Sequence, residues 1–307
     1  MFWFLFALLG AISQALYSLS VKVFLKKIHP FFLAGYSFLA ASLILFPVVL
    51  FYGIPPIGPG LVFALAATVT INIVATILFY RALSTTDLSL CVPILAFTPV
   101  FLILTSFIML GEIPTLAGAA GIFLVTAGAF LLTSRSSDRQ SASLRTPFLT
   151  FLSDPGVRSM LVVAFLYSFS VNYDKEVVRN SSPVFASTVT LFLLAIAFLL
   201  IAMLTMTKRT PGAHDPEGPD PVVPGPPFLN SPFFLYFTIG MILVVEGISI
   251  NTAYTVAIVP YVITVKRLSL FFSVLFGGFL LHEQQIRGRI SGALIMILGA
   301  VMIGLWG

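Results

Sequence analysis

The sequence predicts an all-α membrane protein of ten transmembrane helices, arranged as two inverted five-helix repeats. Three observations lead there. Hydrophobic residues make up 59% of the 307 and charged residues 9%, with a mean hydropathy of +1.08; a soluble domain carries about 25% charged residues, so this chain belongs in lipid. Apolar stretches of about the 20 residues needed to cross a bilayer recur along nearly its whole length. One stretch is also written twice: GEIPTLAGAAGIFLVTAGAF at 111–130 and HEQQIRGRISGALIMILGAV at 282–301 align without a gap at an offset of 171. Glu112 then falls on Glu283, Ala117 on Gly288, Gly121 on Gly292 and Gly128 on Gly299.

In chain order the helices are expected at 2–21, 31–51, 60–83, 88–110, 114–132, 159–178, 183–205, 232–256, 258–281 and 287–306. Barrel strands would alternate apolar and polar residues in short segments, and these runs do not. The first run begins almost at Met1, with neither a basic preamble nor a small-residue cleavage site, and is read as a retained helix. The first repeat is expected to span 1–132 and the second 159–307, joined by a Ser- and Arg-rich linker at 133–158. Upstream, Lys22 and Pro30 fall on Lys175 and Pro183 at an offset of 153, which is 18 less than the other offset and requires an insertion late in the second half. The loop at 207–231 is that insertion: Pro211, Pro216, Pro219, Pro221, Pro224, Pro226 and Pro227 leave little room for a helix.

Five helices per repeat, an odd number, send the second half into the membrane in the opposite sense to the first. The loops after the odd-numbered helices hold Lys22, Lys26, Lys27, Arg81, Arg135, Arg139, Arg145, Arg158, Lys208, Arg209, Arg287 and Arg289, against Lys175 and Arg179 on the other face. This bias places both termini outside the cytoplasm. The net charge of +5 is attributed to basic loops against anionic lipid, and no nucleic-acid partner is expected. Cys91 is the single cysteine, so no intrachain disulfide forms.

The repeat, the Lys22 to Pro30 spacing, the FYRAL segment at 79–83, the Pro93 to Pro99 stretch and the two hairpins carrying Glu112 and Glu283 together resemble the drug/metabolite transporter superfamily, specifically its EamA-type members. The resemblance covers essentially the whole chain. It implies a secondary transporter that moves a small metabolite through a central cavity between the halves. It also implies cytoplasmic termini, opposite to the charge bias.

Ionisable residues deep in a membrane helix are costly enough to be presumed functional. Glu246 in the eighth helix and Lys266 and Arg267 in the ninth are the three such residues here. The two cations cost ~5–7 kcal/mol, and about fifteen large apolar residues of the ninth helix return roughly 4.5–9 kcal/mol on the same scale, so this helix needs a partner charge or a wet cavity. Glu246 lies ~18 Å and Lys266 ~12 Å from the turn joining the two helices, at 1.5 Å per residue, within reach of an ion pair. One carboxylate does not neutralise two cations. At least one of Lys266 and Arg267 is therefore expected to face the cavity and bind an anionic substrate group, Arg by a bidentate fork and Lys as a point charge. The Val265–Lys266–Arg267 run also resembles the Lys-Arg pair of sugar-phosphate translocators, a branch of the same superfamily, which implies an anion. The alternative is an exporter of neutral or amino-acid-like metabolites in which the pair is structural. As the one deep carboxylate recognised, Glu246 is the candidate for coupling to protons.

Gln14, Tyr17, Asn72, Tyr80, Asn251, Tyr254 and Tyr261 are expected around the same cavity, with interhelical hydrogen bonding as the plainer reading of each. Lys22 and Lys175, repeat equivalents near helix ends, are candidate gates or snorkelling lysines. Glu112 and Glu283 are read as caps on the helices that follow them. His29, His214 and His282 form no ligand cluster, and no metal or other cofactor is expected. No GxSxG run offers a nucleophile, so the chain is not read as an enzyme. A channel or a regulatory membrane partner remains open, but repetition within one chain favours a transporter. Substrate, lipid and coupling protons are the expected partners, in the inner or plasma membrane; the oligomeric state is left open.

Overall fold

The computed structural model describes residues 2–24, 30–85, 92–134, 154–206, 232–280 and 290–307. Among these residues every regular element is helical. In order they are α1 (Phe2–Phe24), α2 (Pro30–Tyr52), α3 (Leu61–Thr85), a 3₁₀ turn at Val92–Phe97, α4 (Thr98–Leu110), α5 (Leu116–Ser134), α6 (Pro155–Arg179), α7 (Pro183–Met206), α8 (Pro232–Tyr254), α9 (Val259–Lys266), α10 (Ser269–Leu280) and α11 (Ile290–Trp306). Two of the expected helices are broken, so these elements make ten crossings among the described residues. The linker core at 135–153, the Pro-rich loop and Glu283 lie outside the described residues.

Proline and glycine set many of the boundaries. Proline opens α2, α6, α7 and α8, where its missing N–H costs nothing and its φ suits the first helical turn. Asp154 caps α6, its carboxylate accepting from the N–H groups of Gly156 at 2.8 Å and Val157 at 3.0 Å. Gly111, with a φ of +70°, ends α4.

The two broken crossings break at equivalent points. The expected helix at 88–110 begins instead as a 3₁₀ turn, because Pro99 has no N–H to give to the carbonyl four residues back. That vacant Leu95 carbonyl accepts the Thr98 hydroxyl at 2.8 Å. The expected helix at 258–281 stops at Lys266 and resumes at Ser269, with Leu268 N–H donating to Val265 and Leu270 N–H to Arg267. Thr98 and Ser269, where α4 and α10 start, are 171 residues apart, the repeat offset itself. Lys266 and Arg267 sit at the second break.

Packing joins the halves to each other more than it joins each half to itself. The most extensive helix contacts are α5 with α11, α3 with α6, α2 with α7 and α1 with α8. Exchanging the halves maps this set onto itself, since α1 corresponds to α6, α2 to α7, α3 to α8 and α5 to α11. The α5–α11 seam shows the same exchange at atomic detail. A Cβ on Gly121 would stand 2.8 Å from the Gly299 carbonyl oxygen, and one on Gly299 would stand 2.7 Å from that of Gly121. Gly128 and Gly292 are related in the same way, at 2.6 and 2.7 Å. Gly121 is the repeat equivalent of Gly292, not of Gly299, so the contact is that of two antiparallel copies about a pseudo-two-fold axis. The backbones meet there because these glycines leave no side chain between them.

Among the described residues eight crossings are long and apolar enough to span a bilayer, α11 is a shorter apolar helix, and α6 is the most polar. The outer surface is apolar: Leu43, Phe46, Leu50, Ile108, Leu200 and Leu298 are all exposed, as lipid-facing residues are. Tracing the crossings puts both termini and the turns at 53–60, 111–115, 180–182 and 255–258 on one face, termed the termini face below.

Candidate functional site

At the termini face, groups from the two halves seal against each other. Gly111 turns the chain sharply, and Glu112 points inward from that turn. Its Oε1 lies 2.6 Å from Lys175 Nζ and 3.5 Å from Arg179 Nη2, and its Oε2 accepts from Val259 N–H at 2.8 Å. Lys175 also donates to the Ala257 carbonyl at 2.6 Å. Glu112 was expected to cap α5, the helix that follows it. It caps α9 in the other half instead, because Thr115 takes the local position: the Thr115 hydroxyl accepts from Gly118 N–H at 2.9 Å. Lys175 is buried between two partners and does not snorkel to lipid.

The same face carries two further ties. Tyr261 was expected to line the cavity, but its hydroxyl accepts from Thr115 N–H at 2.8 Å and its ring stacks on Trp3 with centroids 6.1 Å apart. Asn180, just beyond α6, binds the loop before α3, its carbonyl accepting from Gly58 N–H at 2.9 Å and its side chain from Gly60 N–H at 3.1 Å.

Beneath this seal lies a cavity of about 250 Å³ with residues of α1, α2, α3, α6, α7, α8 and α9 in its wall. Of the residues singled out in the sequence, Gln14, Tyr17, Asn72, Glu246, Asn251, Tyr254 and Lys266 line it. Lys266 Nζ and Glu246 Oε1 meet at 2.7 Å, with the lysine side chain 26% exposed and the glutamate 10%. Glu246 Oε2 is buried and makes no hydrogen bond. Asn251 donates to the Ser187 hydroxyl at 2.8 Å. Arg267, about 100° round the helix from Lys266, does not share its place: it is absent from the lining of this cavity, its Nε is buried without a hydrogen bond, and it lies within electrostatic range of Tyr167 on α6. The side chains of Tyr80 and Lys22 lie outside the described residues.

The wall also holds a carboxylate that sequence reasoning passed over. Asp174 lines the cavity from α6, and its Oδ1 accepts from the Thr68 hydroxyl at 2.6 Å. Thr68 Oγ1 is 2.9 Å from Ser170 Oγ, and Asn72 Nδ2 donates to Ser170 Oγ at 2.6 Å. Glu246 is therefore not the one deep carboxylate. Asp174 was overlooked because it opens the charged run Asp174–Lys175–Glu176, which reads as a helix end reaching water. The signal available was spacing: Thr68 with Asn72, and Ser170 with Asp174, stand four residues apart and make two polar stripes on helices that otherwise read as apolar or as helix ends.

A two-fold bundle of broken and unbroken helices around a polar, charged cavity is the architecture of a helical membrane transporter. The EamA-like transporter family model matches residues 1–134 and 154–305, and the chain belongs to that family. It is thereby a member of the drug/metabolite transporter superfamily, whose members move small molecules across membranes. A solved crystal structure, covered over 96% of its length by 98% of this chain, superposes with a TM-score of 0.72 at 14% sequence identity, a likeness of fold alone. Comparison with curated proteins gives no match.

Proposed function

We propose that this chain is a secondary transporter that carries a small polar metabolite by alternating access, with the Glu246–Lys266 cavity as its binding site. The observation that carries the reading is the cavity's place: walled by both halves, it sits beneath a termini-face seal whose ionic groups also come from both halves. Parting of the groups that form this seal would expose the cavity to the termini face, as alternating access requires.

The anionic substrate expected from Lys266 and Arg267 has narrower support than the transporter itself. Lys266 faces the cavity and keeps a quarter of its side chain accessible, but its charge is already met by Glu246. Coupling to protons rests on Glu246, whose second oxygen lacks a partner. The membrane assigned is the cell's inner or plasma membrane.

The test is counterflow in liposomes carrying the purified protein, with phosphorylated, carboxylic, neutral and amine solutes offered in turn. At least one class should exchange, and Lys266→Met should reduce that exchange tenfold or more. No protein-dependent exchange of any class would overturn the reading.

A further inference from the structure

We propose that the cavity binds a protonated amine of its substrate, and that Asp174 with the Asn72 side-chain carbonyl forms the subsite that holds it. The inference rests on the transport reading above and names the chemical class that site takes.

The argument begins with hydrogens. Thr68 has one hydroxyl hydrogen, and at 2.6 Å from Asp174 Oδ1 it is committed to the carboxylate. Thr68 Oγ1 then acts as acceptor toward Ser170, 2.9 Å away, and Ser170 Oγ in turn accepts from Asn72 Nδ2 at 2.6 Å. Asn72 Nδ2 is further occupied by the Thr68 carbonyl at 2.9 Å. The donors thus run in one direction, from Asn72 through Ser170 and Thr68, and end on Asp174. Such a chain polarises each successive bond toward the terminal acceptor. The donors of these side chains are all spent inside the wall. Asp174 Oδ2 and Asn72 Oδ1 are left over, both acceptors, on two residues that line the cavity.

Charge points the same way. The ionisable carboxyl and amino groups of the cavity wall are Glu246, Lys266 and Asp174. Lys266 is taken by Glu246 at 2.7 Å; it lies within electrostatic range of Asp174, but among the described residues no cation forms an ion pair with Asp174. An entering carboxylate or phosphate would meet two acids and one ammonium already engaged. An entering ammonium, with three hydrogens to donate, would meet an unpaired carboxylate and a carbonyl oxygen. The unpartnered Glu246 Oε2, on a side chain nine-tenths buried in the same cavity, is a third acceptor that the protein itself leaves unfilled. A zwitterion fits as well as a simple amine, its carboxylate turning to Lys266.

The experiment uses matched solutes on the purified full chain: isoamylamine, leucine and 4-methylpentanoate, and phenethylamine, phenylalanine and 3-phenylpropanoate. Each trio shares a side chain and differs in its charged groups. Binding is read by calorimetry and by counterflow in liposomes. At least one amine or zwitterion should bind, with its carboxylate partner tenfold weaker or more. Asp174→Asn, which keeps an acceptor for Thr68 but presents an amide nitrogen to the cavity, should weaken the amine at least tenfold, and Asp174→Glu should recover part of the loss. Thermal unfolding of each variant separates lost binding from lost fold. Carboxylates binding better than amines, no amine binding at all, or undiminished amine binding by Asp174→Asn would each overturn the subsite. If carboxylates or phosphates exchange while amines do not, the subsite fails and the transporter reading stands. If nothing exchanges, both fail.

Discussion

Glu112 Oε1 lies 2.6 Å from Lys175 Nζ, and the two residues come from opposite halves of the chain. This pair and the Glu112 bond to Val259 N–H tie the fourth crossing to the sixth and ninth at the termini face. Removing one partner strands the other as a buried charge, which costs ~3–5 kcal/mol, whereas removing both avoids that penalty. Glu112→Gln and Lys175→Met should each lower the thermal unfolding midpoint in detergent, and the double variant should recover much of the loss. If the pair also latches the termini face, a cysteine at Thr115 in a Cys91→Ser background should react faster with a membrane-impermeant maleimide in the double variant. Equal labelling rates would restrict the pair to holding the fold.

The Glu246–Lys266 pair poses the same choice in the cavity. Glu246→Gln should destabilise the protein, and Lys266→Met in the same chain should restore its stability without restoring counterflow. Recovery of both properties would make the pair structural. If Glu246 couples transport to protons, flux by Glu246→Gln should no longer respond to a pH gradient; full retention of that response assigns coupling elsewhere.

Gly128 faces the Gly292 carbonyl so closely that an added Cβ would stand 2.6 Å from it. Backbone lies on both sides, so the clash is relieved only by parting α5 from α11. Gly128→Ala should cost about 1–3 kcal/mol, measured as a drop in unfolding midpoint. Gly247→Ala is the control, because its Cβ would meet only the Ser187 side chain, at 3.3 Å. It should be tolerated with a smaller loss.

Tyr261→Phe removes the acceptor for Thr115 N–H while keeping the ring stacked on Trp3. Thr115 is exposed, so water takes up the freed N–H and stability should fall by only about 0.5–1.5 kcal/mol, the net worth of one hydrogen bond. Affinity for a transported solute should stay within about twofold, because Tyr261 belongs to the seal. A large affinity change with unaltered stability would return Tyr261 to the binding site.

How far the site was legible can be followed residue by residue. Lys266 and Glu246 stood out because a charge within an apolar run is conspicuous and because 1.5 Å per residue fixes depth along each helix. Asp174 did not, because its neighbours Lys175 and Glu176 made it look like a helix end. Glu112 was read locally, yet its partner Val259 is 147 residues away. Tyr261 was expected around the cavity, but its partners come from elsewhere in the fold, Thr115 from the turn before α5 and Trp3 from α1.

Hydropathy by itself determined the number and rough extent of the crossings, because burying a backbone in lipid requires helices of a set length. Repetition by itself determined that one half enters the membrane inverted, since five crossings return the chain to the opposite face. Only the tertiary structure decided which helices meet across the pseudo-two-fold axis and where each charge points. Composition says that a charge must be satisfied, but its partner lies on another helix at a rotation the hydrophobic pattern leaves open: Lys266 turns to Glu246 and the cavity, and Arg267, one residue on, is absent from the cavity's lining.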